Sequence, residues 1–567
     1  MAEKAGRFAI IEQFLADGMT YMFGNPGTVE QGFLDAINEY PSLKYIVTLQ
    51  ESVAVGIADG YARATKRPTL VQLHSGVGLG NGIGMMYQAY RGRAPLVVIA
   101  GEAGIRYDAM DSQMAADLVS MARPVTKWAT RVVDPSSTLR VLRRAIKMAG
   151  TPPMGPVFVC LPADVLDQPI QEDVMSTSIP STRVVPNDDD IARAAEMLAG
   201  ATKPLIIMGD GIAYSGAEDE LTAVAERWGA DVWGADNSEV NIPASHPLYK
   251  GSLGHMFGAN SSRIAHEADR VLVVGTYIFP EVFPYLDPAQ VFNPAAQVVH
   301  IDLNAYEIAK NFNVDLGVVA DPKLSLARLD EALAATMTGA QKSAAKARLD
   351  TARAAKNKAH QGALEADRKV RDEVPLQTSR FMEELGRRVR PEDTYIFDEA
   401  LTSSPPLTRY LPPDLPGHFF QTRGGSLGVG IPGALGVKLA HPDKTVIGFT
   451  GDGGSMYTIQ GLWTAARHNI GAKFVICNNA SYMLLKLNIL QYWREQGLPP
   501  GAFPDSFDLT GPMVDFVKIA ESMSVPGARV ERPEQAGPAI ERMLSHDGPF
   551  LIDMVVSSKL PDATSGK

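Results

Sequence analysis

The sequence predicts an α/β protein with three doubly wound parallel-sheet domains, and three observations carry that expectation. Short β-branched runs recur between longer stretches of helical periodicity, the pattern of parallel sheets covered by helices on both faces. These runs fall into three blocks, divided by a Pro/Ser/Asp-rich stretch and by one rich in Ala, Lys, Arg and Glu. A chain of 567 residues has room for roughly three or four units at ~150 residues each.

Taken in order, the opening MAEKAGRFAIIEQFLADG carries charges through its apolar pattern and reads as an amphipathic helix, not a signal peptide. A first domain over 1–170 holds the strand candidates YMFG, KYIVTLQ, PTLVQLHS, PLVVIAGE and GPVFVCLP, and DQPIQEDVMSTSIPSTRVVPNDDD links it to the next. A central domain over 190–335 holds PLIIMGDG, ADVWGADN, RVLVVGT and QVVHIDL. Residues 336–374 have few large apolar side chains and predict a solvated helical connector. A last domain over 375–555 holds TYIFDEA, HFFQTR, KTVIGFTGDGG, AKFVICNN and GPFLIDMVV, and the tail SSKLPDATSGK is expected to be poorly ordered.

Composition narrows the class. With 45% hydrophobic and 21% charged residues, and no apolar run near the ~18 residues of a membrane span, the chain reads as a cytoplasmic globular enzyme. Cys160 and Cys477 sit in apolar strand-like runs, as buried thiols do. A net charge of -11 argues against nucleic acid or an anionic membrane as partner.

In open α/β sheets ligands sit beyond the carboxyl ends of strands. The tripeptide Gly-Asp-Gly occurs there twice, at Gly451-Asp452-Gly453 and at Gly209-Asp210-Gly211. In each case 24 residues separate it from a second polar pair, Asn478-Asn479 or Asp236-Asn237. Asp452 with the amide of Asn479 leaves room for phosphate oxygens around a Mg2+ ion, and Gly453, Gly454 and Ser455 open a helix whose N–H groups can meet a diphosphate. A Gly-rich turn with an Asp cap explains the same spacing. Asp210 with Asp236 would set two carboxylates against a polyanion, so that copy is expected to be a structural turn.

In the first block, Gly24-Asn25-Pro26-Gly27 reads as a tight turn placing Thr28 at a helix N-cap. Glu51 opens a helix after KYIVTLQ, where the helix dipole favours an acid in any case. His74-Ser75 ends a strand and enters a loop with Gly76, Gly78, Gly80, Gly82 and Gly84, through which no G-x-G-x-x-G can be drawn. The formal G-x-G-x-x-G at Gly428, Gly430 and Gly433 lacks its acidic partner and reads as close backbone packing.

Together, FGNPG, TLQE with VGIADGYA, LHS-x-x-G-x-GN, and GDG with LWTAA and FVICNN resemble the thiamin diphosphate (ThDP) enzymes of the pyruvate oxidase and decarboxylase group. The likeness is nearest to the benzoylformate decarboxylases, with VVHIDLNAYEIAKNFNVDLGVVAD closer to the acetolactate synthases. The resemblance implies pyrimidine-binding, central and diphosphate-binding domains and a dimer-based homotetramer with the cofactor between two chains. Asp452, Asn479 and the Ser481 carbonyl would ligate Mg2+. Glu51 would hydrogen-bond the aminopyrimidine ring, Leu427 would bend ThDP, and the Gly425 carbonyl would accept from its 4'-amine. Thr402 and Ser403 are further candidates for the diphosphate, with Gly453, Gly454 and Ser455. Thr28 and His74, with Ser75 beside it, would face the substrate. The implied activity is non-oxidative decarboxylation of a 2-oxo acid with carboligation to an acceptor carbonyl; an acetolactate synthase-like ligase or a 2-hydroxyacyl-CoA lyase, with aldehyde or acyl-CoA partners, stays open, as does FAD in the central domain. A non-catalytic scaffold of the same fold is the remaining alternative. Two departures bear on substrate: TYIFPEVFPYLDP lacks the decarboxylases' second active-site histidine, and Met483 and Lys486 stand where those enzymes have small and apolar residues.

Overall fold

The computed structural model describes residues 4–254, 258–277, 279, 281–283 and 291–560. The last residues of the tail, 561–567, and much of TYIFPEVFPYLDP therefore lie outside the described residues. The chain forms two compact units, one made of Met1–Ser181, Asp372–Ser404 and Gln421–Lys567, the other of Thr182–Arg371 and Pro405–Phe420. Three six-stranded sheets with parallel pairings and flanking helices make up the fold.

The first sheet comprises β1 (Tyr21–Gly24), β2 (Lys44–Val47), β3 (Thr69–Leu73), β4 (Leu96–Glu102), β5 (Trp128–Arg131) and β6 (Val157–Pro162), in the order β2-β1-β3-β4-β6-β5. Strands β3, β4 and β6 are buried along their whole length, which is why they read as unbroken apolar runs. The order reverses between β1 and β3, and their carboxyl ends open the crevice where such sheets bind ligands. Helices α1 (Gly6–Ala16), α2 (Glu51–Thr65) and α3 (Ser75–Arg91) cover it. The structure corrects one expectation here: the glycine-rich stretch after His74 is a 17-residue helix, not a loop. Its glycines are retained for close approach, since a Cβ at Gly78 would lie 2.9 Å from Glu51 Oε1 and one at Gly82 3.1 Å from the Leu73 side chain.

The second unit is built on β7 (Pro204–Met208), β8 (Asp231–Gly234), β9 (Tyr249–Ser252), β10 (Arg270–Val274), β11 (Gln297–Asp302) and β12 (Leu316–Val319), in the order β9-β8-β7-β10-β11-β12. Strand β7 runs through Gly209-Asp210 into the short helix α4 (Gly211–Ser215). Helix α5 (Gly339–Val370) starts from a reciprocal cap in which Thr338 and Gln341 bond each other's backbone N–H. It is largely exposed, but Ala345 and Ala352 join this unit's core. Arg348 donates to the carbonyls of Trp228 and Gly229, and Lys356 to those of Ala244, His246 and Tyr249. Small apolar residues and two basic anchors thus hold a helix whose composition promises little core.

The third sheet falls in the first unit except for Phe419 and Phe420, and comprises β13 (Thr394–Glu399), β14 (Phe419–Gln421), β15 (Thr445–Gly451), β16 (Lys473–Asn478), β17 (Gly527–Val530) and β18 (Phe550–Val555), in the order β14-β13-β15-β16-β18-β17. Its crevice falls between β13 and β15. Helices α6 (Gly430–Ala440), α7 (Asp452–Ser455), α8 (Gly461–Arg467) and α9 (Met483–Glu495) follow its strands. The glycines of the formal G-x-G-x-x-G serve packing: a Cβ at Gly430 would meet the Phe449 carbonyl at 2.6 Å, and one at Gly433 the Phe397 ring. On its other side α6 meets α2 backbone to backbone, where Gly60 faces Gly433 and Gly436 faces Ile57. Cys160 and Cys477 are buried free thiols.

Candidate functional site

At the first crevice, Gln50 caps α2 by accepting from the N–H of Ser52 and Val53, which frees Glu51 to turn inward. Glu51 is buried, and its two oxygens accept from Asn25 Nδ2 at 3.2 Å and Asn81 Nδ2 at 3.0 Å. Both donors are neutral, and the carboxylate keeps lone pairs for a further partner. His74 is the residue before α3, with Nδ1 3.1 Å from Glu30 Oε2. Glu30 is buried, and its other oxygen accepts from the Gly101 N–H at 2.9 Å. Burial pushes the Glu30 carboxyl above its usual range, against the bonds from His74 and Gly101. Ser75 takes the left-handed conformation, φ 48°, and its hydroxyl bonds the Met114 carbonyl at 3.3 Å. The expected N-cap at Thr28 is corrected: the following helix begins at Gln31 with Glu30 as its flanking residue, and the Glu30 side chain makes no cap bond because it is held by His74 and Gly101. Thr28 is an exposed turn residue. Glu51, His74 and Ser75 are thereby gathered at one crevice; Glu30, Asn25 and Asn81 join them although sequence reasoning had given them no chemical role.

At the crevice of the third sheet, strand register pairs Gly451 with Cys477, which sets Asp452 beside the 478–481 turn. Asp452 is buried; its Oδ1 accepts from the Gly453 N–H at 2.7 Å, while Oδ2 has no hydrogen-bond partner among the described residues. Burial raises its pKa, opposed by backbone N–H groups of Gly453 and of residues 479–481. Asn479 Oδ1 takes the Ser481 N–H at 3.0 Å, and the Ser481 hydroxyl bonds the Phe507 carbonyl at 3.0 Å. The Tyr482 ring covers Gly453, leaving no room there for a Cβ. Gly453, Gly454 and Ser455 form a single helical turn, shorter than the helix expected, since α8 starts only at Gly461. Ser403 is buried beside the Cys477 thiol, and Thr402 is half-buried. Leu427 is half-buried and Gly425 exposed, with φ 72°, in the turn that precedes α6.

The two Gly-Asp-Gly copies now separate on geometry. Asp210 is saturated: it accepts from the N–H and hydroxyl of Ser238, the N–H of Glu239 and the amide of Asn241, at 2.6 to 3.1 Å. It ties the end of β7 to the loop after β8. Asp452 holds a buried oxygen with no hydrogen-bond partner among the described residues, next to the 479–481 backbone; a carboxylate oxygen of this kind suits a hard cation that shares its remaining positions with phosphate and water. Among the described residues no group of three or more His, Cys, Asp or Glu side chains converges as a metal cage.

Behind this turn Asn478 bonds Asp553 Oδ1 at 3.0 Å and accepts the Ala480 N–H at 3.2 Å. Burial pushes Asp553 up to about 6, against its bonds to Asn478 and Arg529. A carboxyl raised in the fold gives stability that is fully present below its unfolded pKa near 4 and is lost as pH rises through about 6. Asp553→Asn removes that slope. Its melting temperature relative to the parent is expected to rise between pH 4 and pH 7, by the equivalent of about 1–3 kcal/mol; a pH-independent difference in thermal scans would refute this.

Comparison with known proteins agrees with the fold. Three family profiles match in order: thiamine pyrophosphate enzyme, N-terminal TPP binding domain, over residues 5–121; central domain, over 191–329; and C-terminal TPP binding domain, over 403–554. The chain belongs to the thiamine pyrophosphate (ThDP) enzymes and is an enzyme of their decarboxylase and acetolactate synthase type. It is 28% identical to benzoylformate decarboxylase of Pseudomonas aeruginosa over 541 residues, 95% of this chain and 96% of that protein. It is 27% identical to the acetolactate synthase large subunit of Lactococcus lactis over 562 residues, 98% and 92% of the two. Among solved structures, the ThDP-dependent 4-hydroxybenzoylformate decarboxylase of Rhodococcus jostii RHA1 superposes with a TM-score of 0.83 at 25% identity, over 98% of this chain and all of that one.

Proposed function

We propose that this enzyme uses ThDP and Mg2+ to decarboxylate a 2-oxo acid non-oxidatively and can join the product carbon to an acceptor carbonyl. The observation that carries this is the bare Oδ2 of buried Asp452 beside Asn479, in a cradle closed by glycines. Asp452, Asn479 and the Ser481 carbonyl would hold Mg2+, with Gly453, Gly454, Ser455, Thr402 and Ser403 about the diphosphate. Bound ThDP supplies a nucleophilic carbon and an electron sink for cleaving the bond next to the 2-oxo group. Leu427 and the Gly425 carbonyl would set the ring in place.

Glu51 would share a proton with the aminopyrimidine. Its two asparagine donors fix its direction without neutralising it, as a proton carrier requires. His74, its Nδ1 held 3.1 Å from Glu30 Oε2, would present Nε2 to the substrate to give or take a proton. Thr28 and Ser75 would bind the substrate. In keeping with the family resemblance, we propose that one site takes Glu51 from one chain and Asp452 from another, in a cytoplasmic homotetramer.

Glu30→Ala is expected to lower kcat about tenfold, and in the double variant with His74→Ala the two losses do not add; additive losses would show that Glu30 acts apart from His74. The function itself is tested by following products from a panel of aryl and alkyl 2-oxo acids, with and without aldehyde acceptors and acyl-CoA thioesters. Aldehyde release supports decarboxylation, and turnover of no 2-oxo acid would overturn the proposal. Acetolactate synthase-like ligation is the second reading, favoured by the match to an acetolactate synthase over 98% of the chain; hydroxyketone formation from two 2-oxo acids would establish it.

A further inference from the structure

Strand β13 ends in two consecutive acids, Asp398 and Glu399, both buried. Asp398 acts locally, accepting from the Ala400 N–H, the Ser404 hydroxyl and the Gln421 amide. Glu399 points elsewhere. Its Oε1 accepts the Gly428 N–H, and its Oε2 accepts the Gly430 N–H at 2.6 Å with the Thr450 hydroxyl at 3.3 Å. None of these partners is a cation, so among the described residues no ion pair offsets the desolvation of this buried acid. A carboxylate offers what an amide does not, an acceptor oxygen for each of two backbone N–H groups.

The two N–H groups close the C-terminal end of the turn that carries Leu427. Gly424, Gly425 and Gly428 all have positive φ, at 63°, 72° and 93°, so this segment has little conformational preference of its own and takes its shape from anchors. Gly428 is held from both sides, its N–H by Glu399 and its carbonyl by the Thr458 hydroxyl at 2.5 Å. The same carboxylate lies under the diphosphate cradle, where a Cβ at Gly454 would come within 3.3 Å of Glu399 Oε1.

Building on the assignment of Leu427 and Gly425 to ThDP, we infer that Glu399 is a positioning residue that keys the 424–430 turn to the cradle, so that ring and diphosphate are bound in one fixed relation. Calorimetric titration of the full chain with ThDP and, separately, with inorganic diphosphate, each with Mg2+, tests it. Glu399→Gln leaves one N–H facing an amide NH2; ThDP binding should weaken about tenfold or more while diphosphate binding changes less than about threefold. Amide hydrogen exchange in residues 424–430 should speed up in the same variant without ligand. Equal losses for both ligands would mark Glu399 as merely structural, and unchanged ThDP affinity would also overturn the inference. If Glu399→Gln does not fold, Thr458→Val releases the Gly428 carbonyl and must show the same split. A parent enzyme that binds no ThDP would instead refute the proposed function.

Discussion

Glu51→Gln is expected to lower kcat on the decarboxylated 2-oxo acid by about 10²–10⁴-fold, the range a positioned proton carrier contributes, while ThDP binds within about tenfold of the parent. The substitution keeps side-chain volume and leaves an amide oxygen for one of the two donors, Asn25 or Asn81, so the start of α2 should hold its shape. What it removes is the ability to take and return a proton. In free energy the rate loss is about 3–5 kcal/mol, several times what one neutral hydrogen bond to the ring contributes to affinity. Deuterium exchange at C2 of bound ThDP separates the steps: it should slow in step with kcat. An exchange rate equal to the parent's, or a kcat within threefold, would move proton transfer away from Glu51.

What could be read from the sequence, and what could not, follows the physics of each element. Every strand read as an apolar run forms a strand; apart from Lys44–Val47 and Phe419–Gln421, which lie at sheet edges, these strands run inside parallel sheets covered on both faces. In the three six-stranded sheets, the strands that went unread, Trp128–Arg131, Tyr249–Ser252, Leu316–Val319 and Gly527–Val530, all lie at sheet edges. One of their faces is open, so WATR and YKGS carry the polarity of loops. The glycines after His74 read as a loop because each weakens a helix, yet Gly78 and Gly82 serve contacts made by residues distant in sequence. The site was half legible. Asp452, Asn479 and Glu51 stand at strand ends, where pattern alone directs a search. Glu30 and Glu399 looked like ordinary acids, since their partners, Gly101 and Gly428 with Gly430, are backbone groups that no side-chain motif records.

The two Gly-Asp-Gly copies give the sharpest contrast, because the same substitution should act in opposite ways. In Asp452→Ala, Mg2+-dependent ThDP affinity is expected to fall by about a hundredfold or more, in line with about 2–5 kcal/mol for removing one partner of a buried charge contact. Stability without ligand should change little, since relief of the buried carboxylate's desolvation offsets the loss of its bond to the Gly453 N–H. Asp210→Ala strands the buried donors of Ser238, Glu239 and Asn241, at about 1–3 kcal/mol for each group left without a partner. Its melting temperature should therefore drop by several degrees, while the folded fraction binds ThDP as the parent does. Calorimetric titration and thermal scans of both variants, with and without Mg2+ and ThDP, make the comparison. Loss of cofactor affinity in folded Asp210→Ala, or full affinity in Asp452→Ala, would reverse the assignment of binding to one copy and architecture to the other. The distinction does not depend on their shared spacing. It depends on whether the fold has already filled the oxygens of the carboxylate: those of Asp210 are taken, whereas Oδ2 of Asp452 has no partner among the described residues.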